Sequence, residues 1–219
     1  MLPRFGKGSL ALLLLTLAAT AILSDQPLGT ALRLQPGSLL RGEGVWQPLT
    51  ANFVYPGDGV GLVIGTLFVQ WFFGSPLEAF WGTRRYLVLM IGAGTAGYLV
   101  YALLAPVLPP VEHGGSNAMD LAALTAFAVV FGKQELSLLG AVNMRGRTLA
   151  GILVVLGVVG PLGRGAQWPV VVPWLVSIAI ALLVTLQPWR GRGEGGGGRK
   201  RAKAKPSHLR VVPKDELLN

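Results

Sequence analysis

Cysteine is absent from this chain, which excludes disulfides, thiolate metal sites and cysteine nucleophiles in one step. Histidine is nearly absent too: only His113 and His208 occur, and none of the apolar segments beyond residue 116 holds one. Charge is scarce, with Asp, Glu, Lys and Arg together at 13% of 219 residues, too little to cover the surface of a soluble domain. A soluble catalytic domain is excluded as well, because the longest polar stretches are residues 25–58 and the segment after residue 189.

What the chain has in abundance is apolar sequence, 52% of its residues, gathered into six runs at about 9–24, 59–74, 86–108, 116–132, 148–163 and 169–188. A spanning helix needs roughly 20 apolar residues, and several of these runs are shorter. They predict an all-α membrane protein of six transmembrane helices. The expected organisation is a cytoplasmic amino terminus (1–8), a membrane domain (9–188) with an outer loop (25–58), and a basic tail (189–219). Arg4 and Lys7 ahead of the first run, and Ala18-Ala19-Thr20-Ala21 near its end, also fit a cleaved signal peptide. A chain so rich in spanning segments favours keeping the first run as an anchor.

Lysine and arginine in short loops set the orientation. With the amino terminus in the cytoplasm, Arg4, Lys7, Arg84, Arg85, Lys133, Arg145, Arg147 and the tail fall inside, while Arg33, Arg41 and Arg164 fall outside. Both termini are therefore expected in the cytoplasm, and the membrane expected is the plasma (inner) membrane. The tail carries nine basic residues against three acidic ones and a Gly195–Gly198 run, so it is expected to be disordered. Its basic segment Arg199–Lys205 reads as a topology anchor or a contact for anionic lipids, and no nucleic-acid partner is expected. Lys214-Asp215-Glu216-Leu217 spells a retention signal, but Leu218-Asn219 follow it and such signals are read at a free carboxyl terminus.

Within the membrane domain, Leu39, Leu40 and Trp46 suggest that the outer loop sits partly in the bilayer interface. Trp81, followed by Arg84 and Arg85, marks the inner interface after the second run. Gly92, Gly94 and Gly97 match the dinucleotide spacing GxGxxG, yet no strand precedes them and the surrounding run is apolar. Close helix packing is the better reading there, as it is for Gly151, Gly157, Ser177 and Ala181.

Gly114-Gly115-Ser116-Asn117 opens the fourth apolar run, and a serine so placed in a membrane chain suggests an intramembrane hydrolase, which needs a base. The order of features resembles the rhomboid superfamily of intramembrane serine proteases over about residues 9–188. The matching stretches are Trp46-Gln47-Pro48-Leu49-Thr50 to Phe53, Gly74 to Gly82 around Glu78, Gly114-Gly115-Ser116, and the small residues Ser177 and Ala181. The resemblance implies a six-helix fold with Ser116 as nucleophile, a sixth-helix histidine as base, and second-helix histidine and asparagine at the oxyanion.

The chain departs from that pattern. Asn117 replaces a glycine, and Trp174 stands at or beside the base position, where an indole N–H donates but accepts no proton. Counting back from Glu78 places Thr66 and Leu62 where asparagine and histidine are expected. The resemblance therefore implies a non-proteolytic member, similar in kind to derlins and inactive rhomboids, that binds transmembrane segments of client proteins, with the bilayer as its other partner. The alternative is an active protease in which Asp120, four residues from Ser116 and on the same helical face, serves as an unconventional base, or in which His113 folds back. Against a base, Asp120 reads as a water-facing charge in the helix's first turn, with Ser116 or Asn117 as cap, worth about 0.3–1 kcal/mol. A transporter is disfavoured, because Asp120 is the one clear intramembrane acid and no ion-coupling network accompanies it. No cofactor or metal is implied.

Overall fold

A computed structural model describes residues 4–57, 60–138 and 142–186. All six apolar runs form helices: α1 (Lys7–Leu23), α4 (Val60–Val69) continued by α5 (Ser75–Trp81), α6 (Thr83–Leu104), α7 (Asn117–Val130), α8 (Gly146–Gly163) and α9 (Val172–Leu186). The outer loop adds two short helices, α2 (Pro27–Leu32) and α3 (Gln47–Thr50). Each carries proline in its first turn, where the ring fixes φ and the missing N–H has no helical partner to lose.

Four helical stretches, 62–81, 83–104, 146–163 and 168–186, are long and apolar enough to cross a membrane. Apolar α1 and α7 are shorter, at 17 and 14 residues. At 1.5 Å per residue α7 is about 21 Å long, against a hydrocarbon core of about 30 Å. Its position accounts for this: every residue from Ala118 to Phe127 is buried, so α7 is a central helix enclosed by the others. Its alanines 118, 122, 123 and 126 let α6, α8 and α9 approach closely, and Tyr86, Met90, Tyr98 and Tyr101 of α6 fill the space around them.

The second run extends seven residues beyond its apolar stretch, through a π turn at Gln70–Gly74 and on to Trp81. Glu78, the charge that ends the run in the sequence, is buried and fully used. Its carboxylate accepts the backbone N–H groups of Gly8 and Ser9, each at 2.8 Å, the Ser9 hydroxyl at 2.9 Å and the Thr83 hydroxyl at 2.6 Å. It thereby caps α1, whose own N-cap is Gly6 and offers no side chain.

The glycine pattern of α6 is a packing device in two of its three positions. A Cβ on Gly94 would collide with Asn52 and Met119, and one on Gly97 with the Pro173 carbonyl and Ser177, whereas Gly92 faces open space. The Ser177 hydroxyl donates to the Ala93 carbonyl at 2.9 Å, joining α9 to α6 at that close approach. Gly157 likewise meets Leu121, while Gly151 meets nothing.

The all-α expectation needs one amendment. Between α7 and α8 the chain forms a two-stranded antiparallel ladder, β1 (Glu135–Leu138) with β2 (Val142–Arg145), in which Glu135 lies opposite Arg145. The tail 189–219, with His208, lies outside the described residues.

Candidate active site

Ser116 stands at the N-cap position of α7 but does not cap it with its side chain. The backbone carries that turn, with Asp120 N–H donating to the Ser116 carbonyl at 2.8 Å. The hydroxyl points into the bundle. Ser116 is 0% exposed and donates to Asp120 Oδ2 at 2.9 Å, with Thr66 Oγ1 at 2.7 Å and the Tyr55 hydroxyl at 3.0 Å beside it.

Asp120, expected to face water, is instead buried at 6% exposure. The reason is a full set of donors inside the bundle: Thr66 donates to Oδ2 at 2.8 Å, Gln70 Nε2 to Oδ1 at 3.0 Å, and Ser116 to Oδ2. Gln70 is held in turn by the Tyr86 hydroxyl, which donates to its Oε1. A buried carboxylate is tolerated only when its lone pairs are met in this way.

Tyr55 closes the other side. Its single proton has three acceptors in reach, Ser116 at 3.0 Å, Thr66 at 3.1 Å and Asn117 Oδ1 at 3.2 Å, and its ring lies where a Cβ on Gly115 would be. Gly115 has φ +95°, which lets the chain turn beneath that ring, and its N–H donates to the Ala51 carbonyl at 2.7 Å. Burial, and next the Asp120 charge, push the Tyr55 phenol up, so it stays an O–H donor.

Of the residues singled out from sequence, Ser116, Asp120, Asn117 and Thr66 come together. Leu62 does not join them: it is 49% exposed on the outer face of α4. Trp174 is buried in the core at the start of α9, at 5% exposure. His113 does not fold back. Its Nδ1 lies 2.8 Å from the Val111 carbonyl, its Nε2 3.4 Å from the Pro169 carbonyl, and its ring packs 3.8 Å from that of Tyr101. Burial pushes the imidazole below its ordinary range, so it is neutral at pH 7.

Sequence reading missed Gln70, Tyr55 and Tyr86. Gln70 had a signal, as an amide inside an apolar run four residues after Thr66 and so on the same helical face. The loop tyrosine had none. The arrangement can hold a serine proton on a carboxylate, since donor and acceptor are at hydrogen-bond distance, but the serine is sealed from solvent.

A bundle of apolar helices whose central helix opens on a Gly-Gly-Ser turn belongs to the class of integral membrane proteins. A family model described as the Rhomboid domain matches residues 42–189, about two thirds of the chain, and the protein belongs to the rhomboid family of integral membrane proteins. A search of the curated proteins finds no match.

Proposed function

We propose that this rhomboid-family protein has no peptidase activity and binds transmembrane segments of client proteins. The observation that carries the reading is Ser116: fully buried, hydrogen-bonded on several sides, and without a histidine in α9, where Trp174 lies in the first turn. An indole cannot take the serine proton. A missing base removes about 10²–10⁴ in rate, and each missing oxyanion donor about 10²–10³.

Client binding is supported by α8, the least covered of the four long spans, with 17% of its apolar window buried against 33–44% for the others. Its exposed Ile152, Val155, Leu156 and Val159 form an apolar face, and Leu40, Val45, Trp46 and Leu49 of the outer loop are exposed too. In this reading all six apolar helices cross the bilayer of the plasma (inner) membrane, both termini are cytoplasmic, and the tail touches anionic lipids.

One contact favours a second reading. The 2.9 Å Ser116–Asp120 hydrogen bond is that of a nucleophile and a carboxylate base. Labelling by a fluorophosphonate probe separates the two. We expect wild type to label no more than Ser116→Ala; labelling that is lost in both Ser116→Ala and Asp120→Asn makes the serine–aspartate pair the mechanism.

A further inference from the structure

The turn between α7 and α8 forms a half-open cavity of about 340 Å³, lined by Gly132, Lys133, Glu135, Arg145 and Arg147 and apart from every Ser116 contact. The backbone builds it. Gly146 N–H donates to the Gln134 carbonyl at 2.8 Å and Arg147 N–H to the Gly132 carbonyl at 3.3 Å, folding the start of α8 onto the end of α7. Glycine suits that approach at both positions, since a Cβ on Gly146 would strike the Phe131 carbonyl and one on Gly132 would crowd the Arg147 side chain at 3.1 Å. Arg145 and Arg147 are thereby brought to the same mouth as Lys133.

All three cations are exposed, and among the described residues none forms an ion pair, although Glu135 lies opposite Arg145 in the ladder. Arg33 and Arg41 differ in this respect, being paired with Glu112 and Glu43. The cavity thus carries three cations and one acid, an excess of two positive charges on its walls. Its depth is set by its neighbours: the span of α8 begins at Gly146, and the ring of Phe131 packs 5.7 Å from that of Phe80, beside Trp81 and Arg84. That is where an apolar span gives way to headgroups.

We propose that this cavity binds the phosphate of an anionic phospholipid in the leaflet that the α7–α8 turn faces. Guanidinium groups suit a phosphate because their forked donors match its oxygens. A lipid is favoured over a free anion because the cavity lies at the end of a candidate membrane span, Gly146–Gly163, where headgroup phosphates are concentrated. This site is built into the helical domain and is separate from the tail.

The test uses the full-length protein in detergent micelles, titrated with dioleoyl phosphatidic acid, dioleoyl phosphatidylcholine or inorganic phosphate, with bound molecules counted by native mass spectrometry. Phosphatidic acid should bind, and the triple variant Lys133→Gln, Arg145→Gln, Arg147→Gln should weaken it on the order of 10- to 100-fold. Glu135→Gln should strengthen it by roughly 5-fold. The tail variant Arg199→Gln, Lys200→Gln, Arg201→Gln, with the same change in net charge, should weaken it by less than about 5-fold, the share of a flexible contact. Equal loss in tail and cavity variants, or wild-type binding by the cavity variant, overturns the proposal. So does phosphatidylcholine or inorganic phosphate binding as tightly as phosphatidic acid. If the triple variant misfolds, Glu135→Gln decides alone, and no gain there overturns the site.

Discussion

Asp120 is buried and accepts from Thr66, Gln70 and Ser116, so its substitution is a test of buried hydrogen bonding. Asparagine at this position has one accepting oxygen and brings an NH₂ toward groups that are themselves donors. Leaving buried donors unpaired costs about 1–3 kcal/mol. Asp120→Asn is therefore expected to lower stability by that amount in reversible denaturation, while Glu43→Gln, at an exposed ion pair, stays within about 0.5 kcal/mol. A loss as small as that of Glu43→Gln would return Asp120 to the role of a solvent-facing charge. The four-residue spacing of Ser116 and Asp120 was legible in the sequence, because helix geometry alone puts them on one face. Tyr55 was not: a loop residue reaches Ser116 only through the turn at Gly115. His113 gives a pH dependence with a definite sign. Its folded-state affinity for protons lies below that of the unfolded chain, so the unfolded state binds more protons as pH falls below about 6.5. Stability held by the neutral ring is complete above that pH and declines below it. Chemical denaturation of wild type and His113→Gln at pH 7.5 and 5.5 should show the larger loss in wild type.

At the level of elements, the contact of α6 with α9 depends on missing side chains. Gly97→Val drives two methyl groups toward the Pro173 backbone and Ser177, which cannot retreat without moving α9, and overpacking of this kind costs about 1–3 kcal/mol. Gly92→Val, five residues earlier and facing open space, should be close to neutral or slightly stabilising, since valine replaces the more flexible glycine. Thermal unfolding of the two variants in micelles checks the contrast; equal losses would mean that the α6 glycines do not act by packing. The existence of all six helices could be read from hydrophobic runs. So could the close of the second helix around Glu78 as far as Trp81; the tertiary partner that satisfies that charge, the amino terminus of α1, could not. The β1–β2 ladder pairs two four-residue segments too short for a periodicity to declare itself.

For the whole molecule, the proposed orientation follows from the placement of basic residues. Arg84 lies at the start of α6 and Lys133 just beyond the end of α7, and the Phe80–Phe131 contact brings those two helix ends together. Reporter fusions at the carboxyl terminus are expected to report the cytoplasm, and fusions near Glu43 or Glu112 the opposite side. A carboxyl-terminal reporter found outside would remove the six-span arrangement and the polarity assigned to the α7–α8 turn.

The outer loop is tied to the residues around Ser116 at several separate points. Arg33 Nε pairs with Glu112 at 2.5 Å, Leu34 and His113 exchange backbone hydrogen bonds at 2.9 and 3.1 Å, Gly115 N–H reaches the Ala51 carbonyl, and Tyr55 reaches Ser116 itself. Segments joined in this way open together or not at all, because freeing one tie leaves the rest holding the same geometry. The outer loop and the serine are thus the two arms of one lever. A displacement of the outer loop pulls on the floor beneath Ser116, and by the reciprocity of coupled free energies anything that loosens that floor is felt in the loop.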